Sequence, residues 1–258
     1  MRPLLLLAAL PLAAADDVHA ILQRVVEAQG ENNKRAGQYA FVEEVDHFTY
    51  DKAGQPKKDR SETYEIVFVE GLEYKKLVAR KGKPLEPREQ AKEDKKLRET
   101  AEERRKQRRS GLFRRTVSTG SDQDLLTLFD SRLLGEEEIG GRKAWIVECI
   151  PQPGRLPAND HEKQVLSFRK KLWIDEAENV YVKVIDTAIG DRTAFKPGSV
   201  FTWEYGKVNE DAWLPVTIVL DAHLQFAKFI KPWVRTEQRY SNFRKFDVQS
   251  TITVDPGK

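Results

Sequence analysis

The residues of this 258-residue chain that could do acid–base or metal chemistry are few and scattered. None of the four histidines has a second histidine or a cysteine at metal-ligand spacing. His47 follows Glu43 and Glu44, and on a strand Glu43 and His47 would share one face, so general acid–base chemistry is one interpretation. A solvated strand face explains the pair equally well. The acidic run Glu136 to Glu138 is better interpreted as an exposed strand edge than as paired catalytic carboxylates.

Sequence signatures of common enzyme classes are also missing. The chain has no G-x-S-x-G elbow, no phosphate-binding glycine loop and no dinucleotide fingerprint, so acyl, phosphoryl and hydride transfer lack their usual residues. Cys149, the single cysteine, lies in an apolar strand-like run and is predicted to be a buried structural thiol. We therefore expect no enzyme activity, no catalytic residue, no metal and no cofactor.

A basic cluster is the most suggestive local feature of the sequence. It surrounds Leu112 and Phe113 without an intervening acidic residue. An anionic membrane surface or an acidic envelope protein would suit it, with the apolar pair at the interface. The alternative is a solvated basic helix end that faces its own dipole. The cluster consists of Arg104, Arg105, Lys106, Arg108, Arg109, Arg114 and Arg115.

The first residues of the chain are typical of a secretory signal peptide. A basic start at Arg2 precedes an apolar run from Leu4 to Leu12 and three alanines, and acidic residues follow. The run is shorter than the ~20 residues that span a bilayer. We expect cleavage after Ala15, a periplasmic protein with no remaining transmembrane segment, and hence no nucleic-acid partner for the basic cluster.

Composition is that of a water-facing globular domain, with 40% hydrophobic and 33% charged residues. The net charge of +3 is too small to specify a partner. We expect residues 1–15 to be the signal peptide and residues 16–258 to form a single domain. Within that domain, residues 84–115 are predicted to be a charged helical insertion, which projects into solvent or lies loosely on the body.

Most of the remaining chain reads as a meander of antiparallel strands. Strands are predicted at 39–50, 61–70, 74–80, 133–139, 143–150, 165–175, 180–189, 200–208, 213–224 and 234–246, with turn residues between many of them. In several of them both faces carry apolar residues, which suits either two faces of core or one face that lines a cavity. The fold class is therefore mainly β (α+β): a curved antiparallel sheet that curls into a barrel or half-barrel.

Three helices are predicted beside the sheet. Apolar residues recur at three- and four-residue spacing from Val18 to Val26, and Gly30 is expected to end this N-terminal helix. A long charged helix follows Pro87. A short helix, capped by Ser121 or Asp122, is expected to pack on the sheet or over its opening.

Three stretches of the sequence resemble a known family. They are residues 64–71 running into 77–85, residues 141–145, and residues 172–175 with 180–184. They resemble exported bacterial proteins related to the outer-membrane lipoprotein-sorting (LolA/LolB-like) periplasmic carrier superfamily. The resemblance covers most of the mature chain and implies a half-barrel closed by helices over an apolar cavity for acyl chains. The charged helix departs from the small carriers of that family.

Two functions of different classes follow. The first is a non-catalytic carrier of lipid or lipoprotein acyl chains. The second is an envelope protein-interaction or stress-sensing module that uses residues 84–115. For the carrier, candidate cavity walls are Phe41, Tyr64, Ile66, Phe68, Trp145, Trp173, Trp203 and Trp213, and the alternative for each is the ordinary core of the sheet.

Overall fold

The computed structural model describes residues 14–51, 53–109, 122–190, 195–226 and 229–246. Its helices are α1 (Ala14–Ala36), α2 (Pro87–Arg109), α3 (Asp124–Thr127) and α4 (Asp160–Val165). The strands before α3 are β1 (Tyr39–Tyr50), β2 (Pro56–Val69), β3 (Leu72–Arg80) and β4 (Lys83–Pro84). Those after α3 are β5 (Phe129–Ile139), β6 (Arg142–Pro151), β7 (Phe168–Asp175), β8 (Tyr181–Ala188), β9 (Val200–Val208), β10 (Ala212–Phe226) and β11 (Phe229–Lys245).

Within the described residues all eleven strands belong to one open antiparallel sheet. Its order is β4-β3-β2-β1-β11-β10-β9-β8-β7-β6-β5, so the first and last long strands meet in the middle. β1 and β11 pair from Tyr39 opposite Lys245 to Thr49 opposite Val234. This long-range pairing joins the two hairpin series into a single curved layer and confirms the predicted fold class.

One face of the sheet carries α1. Ile21, Leu22 and Val25 are almost completely buried in a cluster that includes Val147 and Leu172. Burial of each such side chain is worth about 1.5–3 kcal/mol. The face that bears these sheet residues is called the α1 face below.

Gly30 does not end α1, contrary to the sequence expectation. The helix continues to Ala36 because Asn32, on the next turn, is tied to the sheet. Its side-chain amide donates to the backbone oxygen of Trp213 at 2.9 Å and accepts from the backbone N–H of Trp213 at 2.8 Å. These tertiary bonds outweigh the ~1 kcal/mol cost of a glycine within a helix.

The α1 face can be followed across the sheet by register. Residues directly opposite each other on paired strands point the same way. Val184 faces Trp203, which faces Ile218, and the row continues through Gln238, Val45 and Glu62. The two halves of the sheet thus share one continuous face, but in the described residues only the half from β5 to β10 makes extensive contact with α1.

α2 lies on the opposite face, against β3. The Tyr74 hydroxyl donates to Glu93 at 3.1 Å, and Lys76 pairs with Asp94 at 2.9 Å. Ala101 is buried against the sheet. The charged helix is therefore fixed to the body by specific polar contacts and does not project into solvent, although its sequence is almost wholly hydrophilic.

Two further details differ from the sequence expectation. The stretch predicted as a strand from Val165 begins later, at Phe168, because Asn159 caps the short helix α4 by accepting from the Glu162 N–H. β5 begins at Phe129, four residues before the strand predicted at 133–139.

Candidate functional site

A cavity of about 630 Å³ opens on the α1 face, between strands β7 to β9 and the two short helices. α3 contributes Leu125 and α4 contributes Val165, while the strands form the floor. A volume of this size lies within the ~300–1,000 Å³ typical of small-molecule pockets. The apolar and aromatic lining consists of Leu125, Val165, Leu172, Tyr181, Val184, Trp203 and Tyr205.

Aromatic rings continue the cavity wall along the sheet. Trp203 stacks on Phe201 with ring centroids 5.7 Å apart and an interplanar angle of 11°. Phe201 in turn makes edge contacts with Phe195 at 4.8 Å and Phe168 at 5.6 Å. An apolar track therefore leads from the cavity toward the strand ends.

The polar part of the lining is an acidic group with one lysine. Lys170 pairs with Asp186 across β7 and β8 at 2.6 Å. The Tyr181 hydroxyl donates to Asp122 at 2.9 Å. Asp124, at the start of α3, contacts His161 of α4 at 2.7 Å. The lining thus combines a hydrocarbon-like floor with a charged rim, which suits an amphiphilic molecule.

Burial shifts the acid–base properties of this rim. It raises the pKa of Asp186 above the ordinary aspartate value, although Lys170 opposes the shift. It also raises the pKa of Asp122, against the opposing hydrogen bond from Tyr181. The phenol pKa of Tyr181 rises well above its usual range because the ring is buried beside Asp122.

Of the residues proposed from sequence to line a cavity, Trp203 lies in the lining. Trp145 is on the same face but packs against the core under α1, with the Arg24 guanidinium 5.5 Å from its ring centre. Trp173 points to the opposite face, where it faces Lys183 and Ile146 in register. It donates its indole N–H to Glu137 at 2.6 Å.

Trp213 lies at the far end of α1, in a small cluster with Trp173. Its indole N–H donates to Glu178 at 3.1 Å, and Arg142 lies over its ring at 5.3 Å. Arg142 also forms a two-point ion pair with the buried Asp175. The surroundings of Trp213 are those of a packed and hydrogen-bonded corner.

The remaining four candidates lie in the other half of the sheet. Phe41 faces Ile66 in register and contacts Tyr240 and Phe243. Phe68 packs on Phe246 at 5.6 Å. The last of the four is Tyr64, whose ring lies 4.2 Å from the Lys75 ammonium. The structure therefore does not gather the eight candidates around one cavity.

Part of the basic cluster is used to hold α2 on the sheet. Arg104 donates to the backbone oxygens of Val69, Leu72 and Glu73, each at 2.9 Å. Arg105 pairs with Glu70 at 2.7 Å. Lys106 is exposed. Arg108 and Arg109 fall at the end of α2, and Arg114 and Arg115 lie outside the described residues.

Sequence reasoning missed most of the lining, and one reason is a bulge. Strict alternation sets Tyr181 opposite in direction to Val184. The register instead slips between Trp173 and Ile174, so that Tyr181 pairs with Ile174 and joins Val184 in the cluster beneath α1. The contact between Lys170 and Asp186 could have been suspected from the sequence. The two residues lie at similar distances from the predicted β7–β8 turn, and such residues lie opposite each other on paired strands.

Cys149 is buried on the same face, one strand from Lys170. Burial raises its pKa to about 11, so the thiolate is scarce at neutral pH. The expectation of a buried, unactivated thiol is confirmed.

Comparisons with known proteins give structural matches only. No family model matches the sequence, and no curated protein is significantly similar to it. A domain named for outer membrane lipoprotein sorting, from Vibrio parahaemolyticus, is 12% identical, with 90% of this chain and 95% of that chain covered and a TM-score of 0.40. A DUF1329 family protein from Desulfovibrio piger is 14% identical, covering 91% and 95%, with a TM-score of 0.35.

A third solved structure carries the name of the superfamily expected from the sequence. It is a LolA superfamily protein from Nitrosomonas europaea, 11% identical, covering 92% of this chain and 95% of that chain, with a TM-score of 0.32. None of the described helices combines the length and hydropathy that a membrane-spanning segment needs.

Proposed function

We propose that this protein is an exported, non-catalytic carrier that binds the acyl chain of a lipid or lipoprotein in the cavity on the α1 face. The single observation that carries the proposal is the cavity itself. A sheet that served only as a scaffold would be filled by side chains at this place, whereas the described residues leave about 630 Å³ open here.

The lining supplies the driving force for such a ligand. Leu125, Leu172 and Val184 are buried apolar residues, and Trp203 adds an aromatic wall. Each methylene group that leaves water contributes about 0.8 kcal/mol, so an acyl chain binds without any catalytic group. The acidic rim would remain beside the head group.

The sequence supports the location of this activity. Residues 1–15 have the pattern of a cleaved signal peptide, and an exported carrier would meet acylated cargo in the periplasm. Export and cleavage after Ala15 are part of the proposal.

The competing interaction-module function depends on α2. Arg104 and Arg105 of its basic cluster contact the sheet, so the helix uses part of its charge to hold its own position. The cavity is not explained by that function, and we therefore favour the carrier.

The test is native mass spectrometry of the protein purified from bacterial periplasm without detergent, followed by organic extraction. We expect a stoichiometric lipid. Trp203→Glu should abolish lipid retention because it places a carboxylate on the apolar wall. Trp233→Glu is the matched control, since Trp233 is exposed and outside the lining.

Circular dichroism of both variants would show that they are folded. A ligand-free wild-type protein that also fails to take up added phospholipid or acylated peptide would overturn the carrier. Protein partners of α2 would then become the next target.

A further inference from the structure

The rim of the cavity carries more negative than positive charge. Asp122, Asp124 and Asp186 line it together with a single lysine, Lys170. Lys170 forms an ion pair with Asp186 at 2.6 Å, and Asp124 contacts the His161 ring at 2.7 Å. Among the described residues Asp122 forms no ion pair and accepts a hydrogen bond only from the neutral Tyr181 hydroxyl. Within the part of the chain that the structure describes, Asp122 therefore has no ion-pair partner of its own, and the charge of Lys170 acts on it only at longer range.

Asp186 also has unused acceptor capacity. Its Oδ2 accepts from Lys170, while its buried Oδ1 has no hydrogen-bond partner among the described residues. A buried carboxylate oxygen without a donor carries a desolvation cost, so such atoms are normally bonded. Asp186 belongs to the cavity lining, but its Oδ1 is closed off from solvent, so Asp186 acts on a ligand there through the negative charge of its carboxylate.

We propose that the cavity selects amphiphiles whose head group is a hydrogen-bond-donating cation, such as a primary ammonium, placed at the acidic rim beside Asp122. This inference rests on the proposed function, because it assumes that an acyl chain occupies the apolar part of the same cavity.

The chemistry of the rim supports an ammonium over the alternatives. An ammonium has three donors and no acceptor, so it can donate to Asp122 while its charge complements the carboxylate of Asp186. A carboxylate or phosphate head group would meet the same aspartates with like charge, and Lys170 is already paired. A neutral hydroxyl head group could donate one hydrogen bond but would leave the negative charge of the rim uncompensated.

Burial raises the pKa of both carboxyl groups, which means that their ionised forms are poorly solvated in the free protein. A bound cation would relieve that cost. The other titratable groups of the lining that face these two carboxyls are Asp124, Lys170, Tyr181 and Tyr205. Of these, Lys170 is the only one that carries positive charge at neutral pH.

The test compares three decyl amphiphiles that differ only in the head group: decylamine, decanol and decanoate. Isothermal titration calorimetry at neutral pH on the full exported protein would give the three dissociation constants. We expect decylamine to bind about 10-fold tighter than decanol, and decanoate to bind most weakly.

Three variants sharpen the measurement. Asp186→Asn and Asp122→Asn should each reduce the ratio of decylamine to decanol affinity, and Asp186→Asn should favour decanoate because it leaves Lys170 unpaired. Asp211→Asn is the matched control. It removes the same charge from a surface pair with Lys245 outside the cavity and should leave the ratio unchanged.

The outcomes separate the two proposals. If none of the three amphiphiles binds, the carrier function itself fails. If all three bind with similar constants, or if decanoate binds tightest, the head-group inference is wrong while the carrier function stands. Should Asp186→Asn fail to fold, Asp122→Asn tests the same inference on its own.

Discussion

The two halves of the sheet share one face but stabilise it by different means. From β5 to β9 this face is apolar apart from the charged rim of the cavity, and α1 covers part of it with Ile21, Leu22 and Val25. In the half formed by β1 to β3 and β11, the same face carries the buried Glu43, which pairs with Lys75 at 2.8 Å. An apolar face needs a covering layer, and a cavity forms where that layer is incomplete. A face with internal ion pairs can remain beside water.

Two buried aspartates show the same contrast in their electrostatics. Asp186, in the α1-covered half, has Lys170 as its ion-pair partner, and burial raises its pKa. Burial would also raise the pKa of Asp46, which lies in the other half and on the opposite face of the sheet. Hydrogen bonds from Lys58 and Arg239, both at 2.6 Å, instead lower its pKa to about 2. A second cation therefore decides whether the ionised form of a buried carboxyl group is stabilised within the protein or can still be stabilised by a cationic ligand.

The strongest test of the α1-covered half is to make its helix polar. Leu22→Asp should lower the free energy of unfolding by about 3–5 kcal/mol, because an unpaired carboxylate would replace a buried side chain. Urea denaturation followed by tryptophan fluorescence would measure the loss. Gln23→Asp, on the exposed side of α1, is the control. An equal, small loss in both variants would show that the apolar contact of α1 does not hold this half together.

The ion-paired half should respond to pH through Asp46. Its folded pKa is lowered to about 2 from an unfolded value near 4, so it stabilises the protein above the unfolded value. That contribution, about 2 kcal/mol, is lost as the pH falls through the folded pKa. Asp46→Asn should remove this part of the acid dependence between pH 4 and pH 2 in urea titrations at several pH values.

The control for that titration is Asp59→Asn, which changes an exposed carboxylate on the neighbouring strand. Its acid dependence should match the wild type. If Asp46→Asn also matches the wild type, the two cations do not stabilise the ionised form of Asp46.

The smallest effect is expected on the opposite face, at α2. Arg104→Ala removes three hydrogen bonds to backbone oxygens of the β2–β3 turn region and should cost about 1–2 kcal/mol. Lys95→Ala, which breaks only an exposed pair with Glu99, should cost less than about 0.5 kcal/mol. Equal values would mean that the hydrogen bonds of Arg104 do not hold α2 on the sheet.

Local sequence patterns predicted the strands well. β1 and β9 have the predicted bounds, Tyr39–Tyr50 and Val200–Val208. The hairpin turns also lie where expected, for example at Gly140 and Gly141, both with positive φ. Alternation and turn chemistry act between near neighbours in the chain, so a single sequence contains this information.

The candidate site was predicted much less completely. Trp203 was included among the proposed walls, but Tyr181, Asp122, Lys170 and Asp186 were not. Aromatic residues in strands look alike whether they line a cavity, like Trp203, or pack on the opposite face, like Trp173. A bulge at Val182 of β8, where Trp173 and Ile174 pair with Lys183 and Tyr181, then reverses the direction of Tyr181.

By itself, the sequence determined the mainly β fold, the meander, the helix at the start of the domain and the unactivated state of Cys149. Each follows from residue type and from spacing over a few positions. Only the tertiary structure decided that β1 pairs with β11, that Asn32 extends α1 past Gly30, and that four acidic or basic side chains meet beside an open cavity. These features depend on contacts between residues far apart in the chain. Local sequence patterns contain no information on the free energy of such contacts.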